Sequence, residues 1–475
     1  MAVTAIMIGV FVLGYLGIAM EHKLQINKAG IALITGIVLW VIYIFSAGYF
    51  IPAFNQAEFD HFMEISPQLE KLSLHEQYIR FAVDGQVLEH IGDIAETLLF
   101  LMGAMTIVEL VDVHGGFAFI TDRITTRNKH RLLWAIAILT FFMSAILDNM
   151  TTAIVMIMML RKLIANYKER WLFGSIIVIA ANCGGAWSPI GDVTTIMLWI
   201  KGNITTLPTI SRLFLPSLVS MLIPVVIANR LLHGILSQPD YKDEIPKLQQ
   251  VMSVRGRLSI LILGIACLVS VPVFKSVTHL PPFMGIMLAL GVIWVYTEWM
   301  YKRSPNIEES IRERVAKVLS HIDMSTILFF LGILLSVAAL QVAGVLSSFA
   351  GFLDEHVHNV YAINVLIGTL SSIVDNVPLV AGAIGMYPVA DAALVAASAD
   401  PAYMEAFMPN GAFWQLLTYC AGVGGSILII GSAAGVVVMG LEKIRFGWYM
   451  KNISLMALTG YLAGVLMYWL QSLIL

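Results

Sequence analysis

Two short stretches hold the residues best placed to do chemistry. One reads Ser144-Ala-Ile-Leu-Asp148-Asn149-Met-Thr151-Thr152, the other Ser371-Ser372-Ile-Val-Asp375-Asn376-Val-Pro378. Each sets an Asp-Asn pair between two apolar pieces too short to cross a bilayer comfortably, as in a re-entrant hairpin. Non-helical backbone at membrane depth is tolerated only where protein or water satisfies it. A tip that exposes carbonyls, an amide and a carboxylate is therefore a cation cage. An ionisable residue at that depth is expensive unless paired or hydrated, so it marks a functional position. The plain alternative is that each Asp caps the half-helix that follows, and capping is compatible with ion binding.

A third stretch is Asn182-Cys-Gly184-Gly185-Ala-Trp-Ser188-Pro189-Ile-Gly191-Asp192-Val-Thr194-Thr195. Its glycines and proline break a helix in mid-membrane, leaving carbonyls plus Ser188, Asp192, Thr194 and Thr195 as oxygen ligands. A counterpart, Gly422-Val-Gly424-Gly425-Ser426 followed by Gly431-Ser432-Ala-Ala-Gly435, keeps glycines and serines but has no carboxylate. Close helix packing on glycine is the competing reading, above all for this second copy. A phosphate loop is disfavoured, because no Lys follows and no strand-helix context surrounds it.

On this reading Asp148, Asp192 and Asp375 gather near the midplane with no Lys or Arg close by. Three acids repel an anion and suit a hard monovalent cation. Low dielectric disfavours a bare carboxylate, so protons compete with the cation for it. Mutual exclusion of H⁺ and Na⁺ at one acid site is an antiport mechanism. The expected cation and proton ligands are Asp148, Asn149, Thr151, Thr152, Asp192, Asp375 and Asn376, with Asn182, Gly184, Ser188, Thr194, Thr195, Gly424, Ser426 and Ser432 in support. Glu96 could line an access route, for which an interfacial carboxylate is an equal reading, and His90 could tune a pH response, for which a solvated histidine is the preferred reading.

Composition agrees with a membrane setting. Of 475 residues 59% are hydrophobic and 12% charged, against about 25% charge in soluble domains. This is an all-α polytopic membrane protein. Soluble enzymes, nucleic-acid binders and secreted disulfide scaffolds are excluded, and no cofactor is called for. The net charge of -3 gives no reason to expect a polyanionic partner. Cys183, Cys267 and Cys420 lie far apart in apolar stretches and read as packing residues. The first twenty residues read as a retained helix, not a signal peptide.

Charge sets the topology. Basic residues flank 132–160 on both sides, whereas 351–360 and 393–410 around the second pair contain none. Two hairpins, about 132–160 and 360–392, account for both patterns under the positive-inside rule. Ten crossings then remain, with both termini outside, and the inner loops hold 22 of the 28 Lys and Arg residues. The Asp-Asn tips, the Gly-Gly breaks and a Thr-x-Leu-Phe-x-x-Gly-like stretch before each tip recur in order, which marks an internal repeat. Five crossings per half make the second half inverted, as in secondary transporters with midplane sites. The first repeat is expected over 1–236, with a broken helix at about 172–200. A cytoplasmic linker follows at 237–256. The second repeat spans 257–475, with its break at about 411–440. Residues 54–91 and 302–323 read as solvated loops or interfacial helices, the latter with Ile311, Val315 and Val318 on one face.

The chain resembles the ion transporter superfamily, and most closely its NhaD-type Na⁺/H⁺ antiporters, over nearly its whole length. The resemblance rests on Leu147-Asp148-Asn149-Met-Thr151-Thr152, Gly184-Gly185-Ala-Trp-Ser188-Pro189-Ile-Gly191-Asp192, Val374-Asp375-Asn376-Val-Pro378 and Gly424-Gly425-Ser426. It implies a scaffold domain and a transport domain in each protomer, elevator-like movement and a homodimer in the bilayer. The second break, Ile429-Ile-Gly431-Ser432-Ala-Ala, departs from the pattern by lacking the proline and polar residues of the first, which puts two-ion stoichiometry in doubt. The expected function is Na⁺(Li⁺)/H⁺ antiport across a bacterial inner membrane. The alternative is sodium-coupled symport of a small anion.

Overall fold

The computed structural model describes all residues except 1, 21–25, 118–125, 127, 165, 233–247, 249–251, 304–307, 374–375 and 475. Asp375 and most of the 237–256 linker thus lie outside the described residues. Among the described residues the regular elements are helices. The longer ones are α1 (Ala2–Ala19), α2 (Lys28–Phe45), α3 (Leu88–Val113), α4 (Lys129–Leu147), α5 (Asn149–Leu163) and α6 (Tyr167–Ala186). They continue as α7 (Val193–Ile200), α8 (Thr206–Leu231), α9 (Val254–Thr278), α10 (Pro282–Arg303), α11 (Met324–Val342) and α12 (Val345–His356). The chain ends with α13 (Val360–Leu370), α14 (Asn376–Met386), α15 (Ala412–Gly424), α16 (Ala433–Glu442) and α17 (Ser454–Ser472).

By length and composition seven described helices can each cross a membrane, or eight if Phe446–Asn452 and α17, bent by 54°, count as one span. The ten crossings expected from sequence differ for local reasons. The apolar runs 172–200 and 411–440 are each two shorter helices, α6 with α7 and α15 with α16. The apolar part of α1, Ala2–Ile18, falls just under a span's length. Conversely α4 begins at Lys129, where Asn128 accepts a hydrogen bond from the Arg131 N–H, and its 19 residues are enough for a span. Length alone therefore does not mark α4 as a hairpin arm.

The chain divides into two compact units. The first comprises residues 1–99, 323–359 and 380–388. Its centre is the pairing of α2 with α11. Gly332 lies against the Ala32 and Leu33 backbone and Gly36 against Gly332 and Leu335, so the two helices meet backbone to backbone, as small residues permit inside a membrane. Trp40 Nε1 donates to the Leu335 carbonyl at 3.0 Å. Residues 54–91 are helical: Gln56–Ile65, then Leu74–Arg80 behind a Ser73/Glu76 capping box, then a π-helical turn into α3. Phe59 and Phe81 are buried there with Ala47 and Ile51, so the segment is not a plain solvated loop.

The second unit comprises 100–322, 360–379 and 389–475. Its axis is α6, which packs against α4, α5, α8, α15 and α16. Every α6 residue from Phe173 to Ala186 is buried, as is every α15 residue from Phe413 to Gly424. Helices apolar on all sides belong in such an interior. Lys302 and Arg303 end α10, and the described residues 308–323 do not form one amphipathic helix. They are 3-10 turns at Glu309–Ile311 and Leu319–His321 around a single turn at Val315–Val318, interrupted by extended backbone at Arg312 and Arg314.

An ion cluster ties three helices of this unit together. Arg161 near the end of α5 and Arg170 at the start of α6 donate to the two carboxylate oxygens of Glu442, each at 2.7 Å. Trp171 Nε1 donates to the Glu442 carbonyl at 3.0 Å, and Arg161 also reaches the Leu441 carbonyl. These contacts satisfy carbonyls at the C-terminus of α16, which otherwise lack partners.

Candidate functional site

The first tip is a break of one residue. α4 ends at Leu147, Asp148 has φ 83° and ψ 158°, and α5 begins at Asn149. That backbone region is almost confined to glycine and costs of order 1–3 kcal/mol for another residue, so it persists only where surroundings enforce it. Here a cap does so. Asp148 accepts hydrogen bonds from the Thr151 N–H at 2.8 Å and the Thr151 hydroxyl at 2.7 Å. Both carboxylate oxygens are thus engaged on their own helix, which is the capping role. The local consequence is that the next residue, Asn149, projects into the interior and is 4% exposed.

Asn149 Nδ2 donates to Asp192 Oδ2 at 2.6 Å and to Asn182 Oδ1 at 3.1 Å. Asn376, from the first residue of α14, donates to both oxygens of the same carboxylate, each at 3.4 Å. Asp192 also accepts from the Thr194 N–H at 3.1 Å, capping α7, while the Thr195 hydroxyl closes the capping box. Asn182 Nδ2 in turn donates to the hydroxyls of Ser426 and Ser432, both at 2.9 Å. Ser432 caps α16. Six side chains (Asn149, Asn182, Asp192, Asn376, Ser426 and Ser432) therefore form one buried hydrogen-bonded network. Buried networks of this kind are rigid when satisfied.

Two hydroxyls on the same half-helices are not satisfied. Thr152 Oγ1 and Thr194 Oγ1 are buried and have no hydrogen-bond partner among the described residues. Unpaired buried polar atoms are uncommon and call for an explanation such as an ion or water. Together with the carboxylate they are oxygen donors of the type a hard cation takes. No Lys or Arg occurs in 132–160, 171–200 or 318–442, the stretches that build this centre. Its charge is therefore not offset by any basic residue of those segments.

The remaining expected residues are placed as follows. Thr151 serves Asp148. Ser188 sits in the turn between α6 and α7, its hydroxyl accepting from the Ile190 N–H at 3.4 Å. Gly184 and Gly424 act through packing: a Cβ on Gly184 would strike the Phe141 backbone, and one on Gly424 the Gly368 backbone. Glu96 and His90 lie on α3 within the first unit, and Trp40 packs 6.1 Å from the His90 ring. Asp375 is not described. Of the three acids expected to converge, Asp192 is held by the two tip amides, Asp148 is engaged by Thr151, and Asp375 lies outside the described residues. No group of three or more His, Cys, Asp or Glu side chains placed to hold a metal ion is found among those residues. Glu442 and its two arginines were passed over in the sequence, where they read as ordinary loop charges. Their only signal was an acid closing an otherwise apolar helix.

Comparison with known proteins fits this architecture. A family profile described as "Citrate transporter" matches residues 1–405. "Sodium/proton antiporter 1" of Arabidopsis thaliana is 43% identical over 461 residues, covering 96% of this chain and 71% of the relative. "Sodium/proton antiporter 2" of the same plant is 41% identical, over 96% of this chain and 97% of the relative. "Na(+)/H(+) antiporter NhaD" of Vibrio cholerae is 30% identical, over 97% and 90%. With its helical membrane architecture and these relatives along nearly its full length, the chain belongs to the ion transporter superfamily, in the family that includes the NhaD-type Na⁺/H⁺ antiporters.

Proposed function

We propose that the chain is a secondary Na⁺(Li⁺)/H⁺ antiporter in which cation and proton occupy the Asp192 centre in turn. The observation that carries this reading is a buried carboxylate gripped by the Asn149 and Asn376 amides, within segments free of Lys and Arg. The printed names of the plant and bacterial relatives support it. Asp148 shapes the first tip, and the Thr152 and Thr194 hydroxyls complete the oxygen set. Inward proton movement would drive sodium outward by alternating access.

The proposed framework is two inverted repeats, 1–236 and 257–475, each with a hairpin and a broken helix. Recurring contacts support it: Ser144 Oγ donates to the Ala181 carbonyl at 2.6 Å, and Ser371 Oγ to the Ala421 carbonyl at 2.8 Å. A homodimer in a bacterial inner membrane is the proposed setting, although relatives in a plant place the family beyond bacteria. The second reading, sodium-coupled symport of a small anion, is favoured by the wording of the family profile. It lacks a basic residue in the stretches that would have to hold the anion.

Competition at one carboxylate has a kinetic signature. In proteoliposomes the apparent KM for Na⁺ should rise as pH falls, by up to about tenfold per unit for one displaced proton, with maximal rate little changed. A KM independent of pH, or a requirement for an added carboxylate or oxyanion, would exclude the antiport reading.

A further inference from the structure

The contacts that recur between the halves fix which positions correspond. Ser144 and Ser371 match, as do Ala181 and Ala421, each hydroxyl meeting the equivalent carbonyl. Gly184 against Phe141 is repeated as Gly424 against Gly368. Extending the same spacing pairs Asn149 with Asn376 and Asp192 with Ser432, the caps of α7 and α16. A symmetric protein would then hold two cation sites, one at each tip.

The second set keeps the tip acid Asp375 and the hydroxyls of Ser426 and Ser432 but is otherwise poorer in oxygens. Asn182 corresponds to Gly422, Thr194 to Ala434 and Thr152 to Leu379, and the carboxylate of Asp192 is reduced to the hydroxyl of Ser432. That hydroxyl is already taken by Asn182. The tip amide of the second half is diverted as well. Asn376 bonds Asp192 of the first half, not its own counterpart position. Gly422 stands against the same carboxylate, since a Cβ there would lie 3.8 Å from Asp192 Oδ2.

We infer that both halves build a single cation site around Asp192, so that each protomer binds one sodium ion, with Asn376 acting as a ligand-positioning residue for the first half's carboxylate. The Thr152 and Thr194 hydroxyls, both in the first half and both buried without a hydrogen-bond partner among the described residues, are available as further oxygens for the ion. This inference rests on the antiport reading for the identity of the ion. It deepens that reading by fixing the number of ions and the role of the second tip.

The test is equilibrium binding of ²²Na⁺ to the purified full chain at alkaline pH, for the native protein and for Asn376→Ala and Asn149→Ala. One ion per native protomer is expected. Each variant should weaken that same site about tenfold or more, the range expected for losing a hydrogen bond to a charged group. Two ions per protomer, with Asn376→Ala removing one and leaving the other at native affinity, would overturn the single-site inference while leaving antiport intact. No sodium binding by the native chain would remove both.

Discussion

Asp192→Asn is expected to abolish sodium-driven proton exchange while leaving the fold in place. The amide keeps the size of the side chain and remains a good helix cap, so α7 should still begin at the same residue. What it loses is the charge and the exchangeable proton. A unit charge about 4 Å from a cation contributes roughly 4 kcal/mol at an effective dielectric of 20, nearly three decades in affinity. Sodium-dependent dissipation of a pH gradient in everted vesicles should therefore drop at least about 100-fold. The melting temperature in detergent should stay within a few degrees of native. Exchange that survives in this variant would move the site to another acid.

The second large effect concerns the Arg161–Glu442–Arg170 cluster, and its direction depends on which partner is removed. The Glu442 side chain is 0% exposed, whereas Arg161 and Arg170 are 36% and 20% exposed. Arginines at that exposure can reach water along their apolar stems, but the carboxylate cannot. The double variant Arg161→Met/Arg170→Met strands a buried charge and should destabilise by about 3–5 kcal/mol. Glu442→Gln should cost distinctly less. Replacing all three by Met, Met and Leu should recover most of the loss, because a buried ion cluster exchanged as a whole for apolar groups is often neutral. Thermal unfolding of the purified protein orders the three variants. Glu442→Gln ranking as the most damaging would contradict the cluster as described.

The contrast between these two centres indicates what a sequence discloses. Apolar run length is enough to read an all-helical membrane protein, because it follows from local composition, whereas the family is legible only as a resemblance carried by the Asp-Asn and Gly-Gly stretches. Within the site, Asp192, Asn149, Asn182, Asn376, Ser426 and Ser432 all stand in stretches singled out by type and spacing. Their division of labour was not legible. Whether a tip acid faces the interior or its own helix depends on φ at one residue, and Asp148 turns back to Thr151. The Glu442 cluster was hidden for the same reason: its partners are 281 and 272 residues away, and nothing local announces the pairing. The expected ten crossings include the broken helices 172–200 and 411–440 as one span each, whereas helix length alone identifies seven or eight spans among the described residues.

On the proposed antiport, protons and sodium exchange through this protein without any co-transported anion. It is tested by reconstituting the purified chain in proteoliposomes with an acid interior and adding Na⁺, Li⁺ or K⁺ outside in a medium free of carboxylates and oxyanions. Collapse of the pH gradient is expected on adding Na⁺ or Li⁺, and none with Asp192→Asn. A gradient that persists until citrate or another small anion is supplied would contradict the antiport reading and make the chain an anion symporter.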